Sequence, residues 1–131
     1  MVSMKEIRAV ARQIGREFHP RQVILFGSYA RGTPTADSDV DLLVSMPFKG
    51  HPAYKAVEIL LAVDPGFPSD ILVRTPQMVH ERLKMGDCFM QEIVEKGKVL
   101  YAADHRGVDR KGRGRLRRYG TRVARQKEPQ L

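Results

Sequence analysis

Two short runs in this 131-residue chain hold residue types that could do chemistry. One is Gly27-Ser28-Tyr29-Ala30-Arg31-Gly32, directly after the apolar run Val23 to Phe26. The other is Ser38-Asp39-Val40-Asp41-Leu42-Leu43-Val44. In a strand, residues two apart point to the same face, so Asp39 and Asp41 project together with Val40 and Leu42 opposite. Two adjacent carboxylates raise each other's pKa, and keeping both ionised requires a cation between them. Oxygen ligands without Cys or His suit a hard ion, Mg2+ or Mn2+. A glycine straight after a buried strand lets the backbone turn sharply and lets a ligand approach it closely. If Ser28 begins a short helix, its free amides and its hydroxyl offer donors to an anion. A phosphate cradle next to a carboxylate pair reads as metal-assisted phosphoryl or nucleotidyl transfer.

The surrounding pattern supplies elements to hold these runs. Ser3 to Phe18 reads as an amphipathic helix, with Ile7, Val10, Ala11, Ile14 and Phe18 on one face and Ser3/Glu6 as a capping box. Val23 to Phe26 and Asp39 to Val44 read as strands. Ala53 to Val63 reads as a helix whose inner face carries Val57, Leu60 and Leu61. Asp70 to Val73 is a third buried strand. Helices are expected over Pro76 to Met85, with Thr75 as N-cap, and over Asp87 to Lys96, ended by Gly97. Lys98 to Tyr101 is a last short strand. The order describes a small α/β domain whose buried strands are covered by helices. Cys88 is expected as a small core residue on the last helix, and Met85, Phe89 and Met90 as core or interface. Tyr29 is expected to pack under the short helix, with stacking on a base as the other reading. Arg74, just after the third strand, is a lesser candidate for the site.

Gly27-Ser28 with Ala30-Arg31-Gly32, followed by Ser38-Asp39-Val40-Asp41-Leu42, resembles the signature of the DNA polymerase β-like nucleotidyltransferase superfamily. The chain is most similar to its minimal nucleotidyltransferase (MNT) proteins, short prokaryotic chains commonly encoded beside a HEPN-domain protein. The resemblance spans about residues 5–101, including the closing Glu95-Lys-Gly-Lys-Val-Leu-Tyr101. Either half of the motif alone is weak, and both in this order after a buried strand are specific. The resemblance implies the polymerase-β-like palm, an α/β (α+β) fold in which helices pack on a small mixed β-sheet. It also implies a third carboxylate on a later strand. Asp70, which opens Ile71-Leu72-Val73, is favoured; Asp64, in a Pro/Gly loop, is the rival.

By the same resemblance, Asp39, Asp41 and Asp70 are the catalytic residues and bind two divalent ions, Mg2+ or Mn2+. Gly27 and Ser28 grip the β/γ-phosphates of an NTP. Arg31 reaches those phosphates or the leaving pyrophosphate, or else pairs with the Asp37–Asp41 region. The implied reaction moves a nucleoside monophosphate, AMP from ATP, to a hydroxyl. In the MNT–HEPN family the acceptor is a tyrosine of the HEPN partner, and the protein acts as an antitoxin. No second domain is legible to bind an acceptor, so one is brought by a partner or across a homo-oligomer.

Charge gives a second organising feature. Residues 1–103 hold 13 basic and 12 acidic side chains, and residues 104–131 hold 10 basic and 3 acidic, so nearly all of the net +8 lies in the last segment. The expected division is a nucleotidyltransferase domain over 1–103 and a basic, flexible tail over 104–131. The tail reads as a solubilising terminus or as a contact for nucleic acid or an acidic partner. Two other functions therefore stand beside the first: a non-catalytic, occluding subunit of a HEPN complex, and nucleotidyl transfer to an RNA end with the tail holding the RNA. No run approaches the roughly 18 apolar residues of a membrane span. A single cysteine and the absence of an apolar leader point to the cytoplasm, with no membrane partner.

Overall fold

The computed structural model describes residues 1–103; the basic segment 104–131, with the domain boundary expected before it, lies outside the described residues. The chain runs through α1 (Met4–Phe18), β1 (Gln22–Phe26), α2 (Ser28–Arg31), β2 (Val40–Ser45), α3 (Pro52–Val63), β3 (Ser69–Arg74), α4 (Pro76–Lys84), α5 (Cys88–Lys96) and β4 (Lys98–Ala102). Helix α1 begins where the sequence signals it. The Ser3 hydroxyl accepts from the Glu6 amide, and the Glu6 carboxylate accepts from the Ser3 amide at 2.9 Å. That hydrogen bonding at the cap lowers the pKa of Glu6 below the ordinary carboxylate value.

The four strands form one mixed sheet in the order β3-β2-β1-β4. Strand β1 runs antiparallel to both β2 and β4, and β2 runs parallel to β3. A parallel pair needs a crossover, and α3 supplies it. Alternation along the strands sends side chains to two separate cores. Val23, Leu25, Val40, Leu42, Val44, Ile71 and Val73 face α1 and α3, where Ile7, Ile14, Ile59 and Val63 meet them. Ile24 and Leu43 face α4 and α5, where Val79, Met90 and Ile93 cover them. The result is a sheet with helices on both faces, as the sequence pattern indicates.

Two details depart from that pattern. Val57 and Leu61 are exposed, and the buried residues of α3 are Ile59 and Val63. This helix is apolar on most of its circumference, so periodicity alone cannot choose its inner side. Cys88 is exposed rather than buried. It is the first residue of α5, right after the N-cap Asp87, and its thiol donates to the Gly86 carbonyl of the preceding turn at 3.8 Å rather than joining the core. Asp87 accepts from the Met90 amide and pairs with Arg82, and its pKa is lowered, chiefly by the Met90 amide. No helix among the described residues is long and apolar enough to cross a membrane.

Candidate functional site

The end of β1 and the starts of β2 and β3 lie at one end of the sheet. There the register places Phe26 opposite Asp41, and Asp41 opposite Asp70. Residues paired in this way share a face, so Phe26, Asp41 and Asp70 form a row across three strands on the α4/α5 side. Asp39 sits one residue before β2 and is exposed. Its charge is still felt at Asp41. The Asp41 carboxyl titrates above its ordinary value, first because it is partly buried, then because of the Asp70 charge, then because of Asp39; Arg31 opposes these effects. Among the described residues, no hydrogen-bond donor or cation is paired with Asp39, Asp41 or Asp70.

The turn after β1 closes against this row. Gly27 has φ 77° and ψ −155°, a region open essentially to glycine alone. A Cβ at Gly27 would run into the Asp41 carboxylate oxygen Oδ2 and lie 3.2 Å from its Cγ. The carboxylate and the turn backbone are therefore in direct apposition, and only a residue without a side chain permits it. Ser28 opens the single-turn helix α2, as the sequence suggests, and Gly32 ends it in the left-handed conformation. Tyr29 is buried, and its hydroxyl accepts from the Val2 amide at 3.1 Å, which ties the N-terminus to the turn. It is packing, not a free stacking surface.

Arg31 pairs with Glu92 of α5 at 3.6 Å, with both side chains about half exposed. The sequence leaves Arg31 either to phosphates or to the Asp37–Asp41 region; in the structure its ion pair is with Glu92, distant in sequence, while its charge still acts on Asp41. Exposed pairs of this kind contribute about 0–1 kcal/mol, so Arg31 can exchange Glu92 for a stronger anion. Arg74 lies at the opposite end of β3, in register with Ser45, and donates to the Val73 carbonyl at 2.7 Å. It is not part of this site. Asp64, the rival for the third carboxylate, is the left-handed C-cap of α3; Asp70 is the residue abreast of Asp41. Glu92 is a neighbour of the site that sequence reasoning missed. An exposed glutamate far along the chain carries no local signal.

The donor set can be tested against a divalent ion. No group of three or more His, Cys, Asp and Glu side chains among the described residues is set to hold a metal by itself. Mg2+ does not ask for that. It keeps waters and is commonly held by one or two carboxylates together with substrate phosphates. Asp41 and Asp70, oxygen ligands with no cationic partner and mutually repelling, fit such an ion, with Asp39 alongside. The arrangement can gather a cation, bring a phosphate chain against the Gly27–Ser28 turn and place an arginine next to both.

Residues 4–102 match the family model described as "Nucleotidyltransferase domain". Two proteins of Methanocaldococcus jannaschii, each named "Putative protein adenylyltransferase", are similar to this chain. The first is 31% identical over 84 residues, covering 62% of this chain and 78% of that protein. The second is 31% identical over 58 residues, covering 41% and 58%. A crystal structure of a "putative nucleotidyltransferase" from Sulfolobus solfataricus has a TM-score of 0.50 at 17% identity, covering 73% of this chain and 77% of that one. That likeness is one of fold.

Proposed function

The chain belongs to the nucleotidyltransferase domain family, and we propose that it is a protein adenylyltransferase that carries AMP from ATP to a hydroxyl of a partner protein. The observation that carries this reading is the abreast placement of Asp41 and Asp70 against the Gly27–Ser28 turn. The name shared by the two archaeal relatives supports a protein as acceptor and adenylate as the group transferred. The resemblance to MNT proteins supports a tyrosine of a HEPN-domain partner as that acceptor, with an antitoxin role in the cytoplasm.

In this reading, Asp39, Asp41 and Asp70 hold the divalent ions, Mg2+ or Mn2+. The bound metal supplies charge neutralisation and Lewis acidity at the phosphates. The Ser28 hydroxyl and the backbone of Gly27 hold the β/γ-phosphates. Arg31 leaves Glu92 for the same phosphates or for the departing pyrophosphate. The acceptor oxygen attacks the α-phosphorus, the bond from that phosphorus to the β-bridging oxygen breaks, and pyrophosphate leaves. Asp70, on the exposed edge of the site, orients the acceptor hydroxyl and takes its proton.

Intact-mass spectrometry tests this directly. The protein, Mg2+ and each NTP are mixed with the product of the neighbouring reading frame. Added AMP on that product, absent with Asp41→Asn, is the expected result. A stable complex with no added mass would replace the enzyme with an occluding subunit.

The phosphate role of Ser28 has its own test. Its hydroxyl has no hydrogen-bond partner among the described residues, so removing it costs the fold little. A hydrogen bond to a charged group contributes about 1.5–3 kcal/mol, so Ser28→Ala is expected to weaken ATP binding about ten- to a hundredfold. Calorimetric titration with ATP and Mg2+, alongside a thermal melt, checks it. An unchanged affinity would remove Ser28 from the cradle.

A further inference from the structure

We propose that Phe89 is the platform on which the base of the bound nucleotide stacks. This rests on the reading of the Gly27–Ser28 turn as the phosphate site. Phe89 and Tyr54 are the exposed Phe and Tyr side chains among the described residues, at 56% and 79%. Tyr54 lies on α3, which packs on the sheet face opposite to Asp41. Phe89 lies on α5, on the same side as the carboxylates.

The position of Phe89 is fixed by a neighbour of the site. Its ring meets that of Phe26 edge to face, with centroids 5.8 Å apart and planes at 83°. Phe26 is in turn the residue before Gly27 and the cross-strand partner of Asp41. Aromatic pairs prefer this geometry, and it holds the Phe89 ring in place while leaving over half of it to solvent. Three residues on, Glu92 reaches Arg31. The face of α5 that carries Phe89 and Glu92 thus stands against the turn where the phosphates are placed. A nucleotide whose phosphates lie at Gly27–Ser28 has an apolar ring within its length on this side. Tyr29, the other aromatic near the turn, is buried and committed to the Val2 amide. Stacking on a single ring accepts any base, so Phe89 supplies affinity for the nucleoside rather than a choice between bases.

The test compares ATP with inorganic tripolyphosphate, which has the phosphates and no base. Stacking on an aromatic side chain is commonly a tenfold or larger effect, so Phe89→Ala is expected to raise the Kd for ATP with Mg2+ by about tenfold or more. The Kd for tripolyphosphate is expected to stay the same. Phe89→Leu keeps an apolar contact with Phe26 without a π-face and is expected to behave like the alanine variant, which separates stacking from packing. The chain contains no tryptophan, so Phe89→Trp creates a single fluorophore. ATP is expected to quench it and tripolyphosphate is not.

Unchanged ATP affinity in Phe89→Ala, or equal losses for both ligands, would overturn the assignment. So would normal ATP affinity with slowed transfer, which would give the ring to the acceptor protein. If the unmodified protein binds neither ligand, the phosphate site itself fails, an outcome distinct from failure of the stacking.

Discussion

Asp41→Asn is expected to lower AMP transfer by about a thousandfold or more while leaving a folded protein whose melting temperature is equal or higher. Loss of a metal-holding carboxylate removes several kcal/mol of transition-state stabilisation, and about 1.4 kcal/mol corresponds to a factor of ten. The stability half of the result follows from the same carboxylate. Burial, Asp70 and Asp39 all raise its pKa in the folded chain. A group whose folded pKa is raised favours folding when protonated, and that contribution is lost as pH rises through the folded pKa. At neutral pH the ionised Asp41 therefore works against the metal-free fold, and a neutral Asn relieves this. The relief should be largest at neutral pH and fade as pH falls toward about 4, where the unfolded carboxyl also takes up its proton. Melting curves of metal-free protein across that range, with a transfer assay, check both halves. A variant that transfers normally would remove Asp41 from the metal site. A variant that melts well below the parent would show that the carboxylate holds the fold together.

Gly27→Ala is expected to damage fold and site together. The backbone at φ 77° and ψ −155° costs an alanine about 1–3 kcal/mol. For a domain of this size, that lowers the melting temperature by about 5–20 °C. The new methyl also meets the Asp41 carboxylate, so the side chain must leave its place. ATP binding should fall further than in Ser28→Ala, because both the turn and the carboxylate move. The contrast between the two variants is diagnostic: Ser28→Ala loses affinity at constant stability, whereas Gly27→Ala loses both. Equal melting temperatures for Gly27→Ala and the parent would contradict the conformation of this turn.

The features legible in the sequence are those set by near neighbours. The Ser3/Glu6 capping box, the glycine after an apolar run and the one-on, one-off spacing of Asp39 and Asp41 all act within a few residues. They mark where α1 starts and where β1 stops. The relations that complete the site are long-range. Nothing local to Asp70 states that β3 lies parallel to β2 with Asp70 abreast of Asp41; that is set by the α3 crossover and the sheet order. The inner side of α3 is not legible in the sequence because apolar residues surround the helix, so periodicity assigns Val57 and Leu61 to a face that the structure leaves exposed. The Arg31–Glu92 pair joins two exposed side chains from different helices, and exposed charges pair with whatever the fold brings near.

Among the described residues, strand β3 is the outermost on its side of the sheet, and β2 is interior. The two carboxylates that define the site therefore belong to strands of unequal security. Asp41 is anchored on both flanks by ladder hydrogen bonds, whereas Asp70 rides on a margin fastened along one side only. Margins of this kind open at lower free energy than interiors. Peeling β3 away would separate the pair and take Ile71 and Val73 out of the core they share with β1, β2 and α1. An ion or nucleotide that engages both carboxylates acts as a rivet across that seam, because a ligand favours the state that binds it. In the proposed function, occupancy of the site and closure of the sheet's margin are linked equilibria, each favouring the other.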